Sequence, residues 1–138
     1  MLDLALAPLL IAAFAITLFG VRYMRRQAFL PYHGAVAGKS WSELDPGIQA
    51  VILGMLKIIG GGFITLGVSL LWLCFALHEG VRWAPWAILT ISGVALVPML
   101  YVALALRSFQ ADAETPVMPT VVLMALIVVG VGLSILMR

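Results

Sequence analysis

The chain has 138 residues, 64% of them hydrophobic and 10% charged, with a formal net charge of +2 and a mean hydropathy of +1.16. Soluble domains average roughly 45–50% apolar and about 25% charged residues. These values therefore exclude a disordered chain, a basic surface for nucleic acid and an ordinary water-soluble core, and leave an integral membrane protein whose first partner is the lipid bilayer.

Spanning the hydrocarbon takes about 20 mostly apolar residues in helix, and backbone polar groups in lipid must pair within the segment. Residues 4–24, 47–77, 85–106 and 117–137 meet this requirement. The expected fold is all-α, an antiparallel bundle of four transmembrane helices forming one domain over 1–138. The first segment carries Pro8 in its opening turns, where a missing N–H is tolerated. Its leading charge is Asp3, and Arg22, Arg25 and Arg26 follow the apolar stretch. A cleavable signal peptide has the reverse order, so this segment is expected to be retained.

The first loop, residues 25–46, holds most of the polar side chains and is read as loop throughout. Its mixture of Tyr32, His33, Lys39 and Trp41 suits a segment lying on anionic headgroups, where each Lys or Arg contributes roughly 1 kcal/mol. Two readings stand. The loop is ordinary interfacial surface, or Tyr32, His33, Lys39, Glu43 and Asp45 line a site for a headgroup or small anion.

In the second segment, Asp45 and Pro46 form a helix start, with Asp as cap and Pro at the first helical position. At about 31 residues the segment exceeds the bilayer requirement by roughly ten. Residues before 58 then form an interfacial lead-in, with Ile48, Val51, Ile52 and Met55 on one face. Lys57 either snorkels to the interface or is a buried functional group, the default for an ionisable residue in a membrane helix. Gly60, Gly61 and Gly62 follow it, and Gly61, Thr65 and Ser69 share a face at four-residue spacing. Small residues let membrane helices approach closely, so this face serves packing within the bundle or self-association. Gly93 with Ser92, and Gly130 with Ser134, offer complementary faces in the third and fourth segments. Cys74 lies in an apolar run and reads as a small hydrophobe.

His78, Glu79 and Arg82 form a polar cluster in the short second loop, residues 78–84. His33 and His78 fall on opposite sides of the membrane, separated by up to about 30 Å of hydrocarbon. They therefore do not supply paired axial ligands for a haem. No cofactor, metal-binding or catalytic pattern stands out: HExxH, GxSxG and a phosphate-binding loop are all missing. Pro98 is expected to kink the third segment. The third loop, residues 107–116, carries Gln110, Asp112 and Glu114.

Loops one and three share one side. Arg22, Arg25, Arg26, Lys39 and Arg107 lie there, with Lys57 beside it, against Arg82 and Arg138 on the other. The positive-inside rule makes the first loop cytoplasmic and both termini external, with Trp83 and Trp86 in the outer aromatic belt.

The stretch with Pro31, Tyr32, His33, Trp41, Leu44, Pro46, Gln49 and Lys57 before the three glycines resembles small bacterial four-helix membrane proteins of uncharacterised function. That resemblance covers about half the chain and implies a fold and a bacterial inner membrane, without an activity. The size and four-span layout also resemble the small multidrug resistance transporters, whose first helix carries a membrane-embedded glutamate. Leu9 to Val21 contain no acid here, which argues against the same proton-coupled exchange. The leading expectation is a non-enzymatic accessory or scaffold subunit, with its glycine-rich faces packing internally or against a partner. One alternative is a homo-oligomeric transporter or channel lined by Lys57, Thr65 and Ser69. Another is a lipid-binding or lipid-modifying protein that uses the first loop.

Overall fold

The computed structural model describes the backbone of residues 2–137 and the side chains of residues 4–137. Arg138, counted above on the outer side, and the Asp3 carboxylate lie outside the described residues. In chain order the elements are α1 (Leu2–Met24), α2 (Pro31–Ala37), a 3-10 turn (Trp41–Glu43), α3 (Pro46–His78), α4 (Ala84–Phe109) and α5 (Val117–Leu136). The four long helices match the four apolar segments, with ends that differ by at most three residues. Each is long and apolar enough to cross a membrane, so the chain is a multi-pass membrane protein with an all-α bundle fold.

The first loop is more ordered than its composition predicts: it is not loop throughout but contains α2 and the 3-10 turn. Pro31 occupies the first turn of α2, and Gly38 closes the helix in the left-handed conformation, φ 63°. Proline pre-sets the helical φ at the start of a helix, and glycine enters the left-handed region at its end without a Cβ penalty. The 3-10 turn then closes on itself: the Ser40 N–H donates to Glu43 Oε2 at 2.6 Å. At the start of α3, Asp45 accepts from the Gly47 N–H at 2.7 Å and Pro46 follows it in the first turn, as the Asp-Pro pair predicts.

The far end of α3 terminates in a Schellman arrangement. Gly80, at φ 77°, donates to Leu77 O at 3.1 Å, and Val81 donates to Ala76 O at 3.0 Å. This reverses the chain within a few residues and sets α4 antiparallel to α3.

The four long helices form a ring in which α1 packs on α3 and α5, and α4 packs on α5 and α3. Contact is most extensive between α1 and α3 and sparsest between α3 and α4. Leu9, Ile16, Leu70, Leu77, Ile88 and Leu96 fill the interior. The outward faces carry Phe14, Ile58, Trp72, Val94 and Leu136, all well exposed. Trp83 and Trp86 are likewise exposed at the start of α4. α4 runs through Pro98 without a break in the helix, although proline removes the bond an amide there would donate to Val94.

At 33 residues, α3 is about 50 Å long, well beyond the ~30 Å hydrocarbon layer. Lys57 Nζ donates to Met24 O, the last residue of α1, at 3.2 Å. Residues 46–56 of α3 therefore project past the end of α1, about 16 Å of helix. The chain of α2 and the 3-10 turn lies against this projection, where Gln49 Nε2 donates to Trp41 O at 2.8 Å and Leu44 O at 3.2 Å.

Candidate functional site

The sparse α3–α4 contact leaves a cavity of about 310 Å³ at the end of the bundle that carries the first and third loops. Leu56, Ile59 and Phe63 of α3 form one wall. Pro98, Met99, Val102, Ala103 and Leu106 of α4 form the other. Seven residues of α3 and eight of α4 separate the ends of these walls, which makes the cleft about 10–12 Å deep along the helix axes. Its volume lies at the lower end of the range for ligand pockets, about 300–1,000 Å³.

Polar groups gather at one end. Tyr23, in the last turn of α1, and Tyr32 and His33, on α2, line the same cavity. The Tyr23 and Tyr32 hydroxyls are 3.3 Å apart. The Tyr32 and His33 rings meet edge to face at 4.3 Å between centroids, and Phe63 packs edge-on against Tyr23 at 5.7 Å. Burial, assisted by the hydrogen bond between the Tyr32 and Tyr23 hydroxyls, pushes the Tyr32 phenol well above its ordinary value and keeps it protonated. Burial also lowers the His33 imidazole pKa, which favours the neutral ring.

A second cavity, of about 460 Å³, lies under α2 along the projecting part of α3. Phe29, Ala37, Leu44, Ile48, Ile52 and Met55 line it, and it shares His33, Leu56 and Ile59 with the first. His33 therefore stands on the partition between the two spaces. Phe29 holds it from the other side, with ring centroids at 6.4 Å, and Trp41 backs Phe29 at 5.2 Å.

Of the residues expected to form a polar site, the structure brings Tyr32 and His33 together and leaves the others apart from the cavity. Lys39 is exposed. Glu43 accepts the Ser40 N–H within the 3-10 turn, and that bond holds its carboxyl below the ordinary value. Asp45 caps α3. Lys57 is engaged with the end of α1 and lines neither cavity.

The small residues divide in a similar way. A Cβ on Gly60 would meet Gly20 O at 2.8 Å, and one on Gly130 would meet Ala5 O at 3.0 Å, whereas Gly61, Gly62 and Gly93 have open space. Thr65 faces outward and donates to Gly61 O at 3.0 Å. Ser69 is half-buried and Ser134 is buried, with Ser134 Oγ donating to Val131 O at 2.7 Å. At the α1–α3 crossing the close approaches are made by Gly20, Gly60 and Gly67, a set offset from the Gly61, Thr65 and Ser69 face.

Sequence reasoning missed Tyr23 and the α4 wall. Tyr23 reads as one more residue of an apolar span, and its only signal is a tyrosine at interface depth next to Arg22. Met99, Val102 and Leu106 carry no signal, because a cavity wall between helices has the composition of any other apolar face.

Fold and site together define a multi-pass α-helical membrane protein with a cleft that is polar at its loop end and apolar within. Comparison with protein-family models, curated proteins and solved structures finds no match for this chain.

Proposed function

We propose that this protein binds an amphipathic molecule of the bilayer in the α3–α4 cleft, at the level where α1 ends. One observation carries the reading: the cavity has hydrogen-bonding groups, Tyr23, Tyr32 and His33, at its loop end and hydrocarbon walls below them. Tyrosine at a membrane interface presents an apolar body and a polar tip. A headgroup placed among these side chains leaves its tail between Phe63 and Met99. The role is that of a lipid-binding protein of the bacterial inner membrane, with the first loop on the cytoplasmic side. The concentration of Arg22, Arg25, Arg26, Lys57 and Arg107 around the loop end supports that orientation.

Amphiphile retained by gently purified protein tests the reading. Val102 lines the cavity and is 52% exposed, so Val102→Trp fills the cleft without displacing the core. Wild-type protein is expected to carry a stoichiometric small amphiphile by native mass spectrometry, and the variant to lose it. Protein that comes free of any such molecule and takes none up from a lipid extract would overturn the reading.

An accessory-subunit role has one observation in its favour. A Cβ on Gly54, Gly61 or Gly62 of α3 would meet no atom of another element within 4 Å among the described residues, and Gly54 and Gly61 lie two turns apart. A stoichiometric foreign membrane subunit in the native complex, released by Gly61→Leu, supports that role. Retention of the subunit by the variant counts against this face.

A further inference from the structure

We propose that the molecule taken into the α3–α4 cleft is an uncharged amphiphile whose head carries hydroxyl or carbonyl oxygens, and that the site discriminates against phosphate-bearing lipids. The inference rests on the binding reading above and specifies its ligand class.

Among the described residues, the lining of the cavity contains no Lys, Arg, Asp or Glu, and the adjoining cavity under α2 contains none either. None of the basic residues of this end lines either cavity: Arg22, Arg25 and Arg107 are exposed, Arg26 is half-buried, and Lys57 is bonded to the end of α1. A phosphate moved from water into this cleft loses hydration with no cation to replace it, and burying an unpaired charge is strongly unfavourable. A neutral oxygen loses far less, and the groups present match it.

The donor and acceptor count agrees. One hydrogen is committed between the Tyr23 and Tyr32 hydroxyls, 3.3 Å apart, which leaves the other phenolic hydrogen free for a ligand oxygen. A neutral imidazole offers one N–H donor and one bare nitrogen acceptor, and burial favours that form of His33. A hydroxyl head accepts from the phenol and donates to the imidazole. A carbonyl head accepts from either. The cleft is only about 10–12 Å deep, so it holds the head and the first part of a tail. The rest continues into lipid through the gap between α3 and α4.

The test uses wild-type protein in phosphatidylcholine nanodiscs and three probes, with bound fraction read by native mass spectrometry. The first is 1-oleoylglycerol. The second is its phosphate ester, 1-oleoylglycerol 3-phosphate, which differs only by the charged group. The third is decylubiquinone, a carbonyl head on a hydrocarbon tail.

Oleoylglycerol or decylubiquinone is expected to bind at least about tenfold more tightly than the phosphate ester, a gap of about 1.4 kcal/mol. Decylubiquinone has no hydroxyl, so tighter binding of it than of oleoylglycerol marks a carbonyl head. The stronger of Tyr23→Phe and Tyr32→Phe is expected to weaken binding of the tighter neutral probe about three- to tenfold, the worth of one hydrogen bond, and Val102→Trp to abolish it. Equal or tighter binding of the phosphate ester, blocked by Val102→Trp, would overturn the uncharged-head proposal and leave the amphiphile site intact. Binding of none of the three, or binding indifferent to Val102→Trp, would remove the site itself.

Discussion

Gly20 of α1 and Gly60 of α3 face each other so closely that a methyl group on Gly20 would sit 2.7 Å from Gly60 O, and one on Gly60 would sit 2.8 Å from Gly20 O. Each residue is glycine for the other's backbone. Two turns further along α3, a Cβ on Gly67 would collide with Thr17 Oγ1 and lie 2.8 Å from Ala13 O. Membrane helices gain their association energy from close packing and not from expelling water, so this crossing anchors α1 to α3. The α3–α4 side, with no comparable crossing, is where the cleft opens.

Gly60→Ala is expected to destabilise the bundle by about 1–3 kcal/mol, the range for overpacking a close contact, because a backbone carbonyl cannot step aside. Gly61→Ala, one residue away in open space, is expected to be neutral or stabilising by up to about 1 kcal/mol through helix propensity. Unfolding of both variants in detergent micelles makes the comparison. Equal effects would contradict the crossing.

Lys57 closes the end of α1 by donating to Met24 O at 3.2 Å. A cation at a helix C-terminus contributes about 0.3–1 kcal/mol. Lys57→Ala is expected to lose that amount, measured by the same unfolding assay, and added salt is expected to narrow the gap between variant and wild type. An effect of several kcal/mol would mark the lysine as a buried functional group instead.

His33 gives the first loop a pH dependence of defined sign. Burial lowers its pKa from the ordinary 6.5, so the undocked loop takes up a proton more readily than the docked one. Docking of α2 is fully supported above pH 6.5 and weakens as the pH falls through the lower value of the docked imidazole. An NMR titration of the His33 ring is expected to show a midpoint below 6.5, and His33→Gln to remove the acid-induced loosening of residues 31–37. A midpoint at or above 6.5 would contradict the burial.

Ser92 is buried, and its hydroxyl has no hydrogen-bond partner among the described residues. It borders a cavity of about 210 Å³ whose other walls are Leu89, Leu96, Met124, Ile127, Val128 and Gly93. An unpaired buried hydroxyl costs about 1–3 kcal/mol, so Ser92→Ala is expected to raise the thermal midpoint. A fall would show that the hydroxyl is satisfied by water or a ligand within that cavity.

The amino-acid sequence by itself determined the four helices and the start of α3. Lipid admits only internally hydrogen-bonded segments, and a run of apolar residues such as 117–137 has no other structure open to it. Asp45 and Pro46 act locally, through a cap and a fixed φ, so they too are legible. The local signals for α2 were also present, Pro31 at one end and Gly38 at the other, but they were outweighed by the polar composition between the spans.

Tertiary structure alone decided which small residues meet and where the chain leaves a gap. Gly60 and Gly61 are adjacent in sequence and differ by about 100° around the helix, so the rotation of α3 against α1 selects one and leaves the other in the open. Tyr23 and Tyr32 lie nine residues apart, and their hydroxyls come together only because α2 folds back over the end of α1. The cleft beside them depends on how far apart α3 and α4 settle. That spacing is a property of the whole ring of helices, and no single segment carries it.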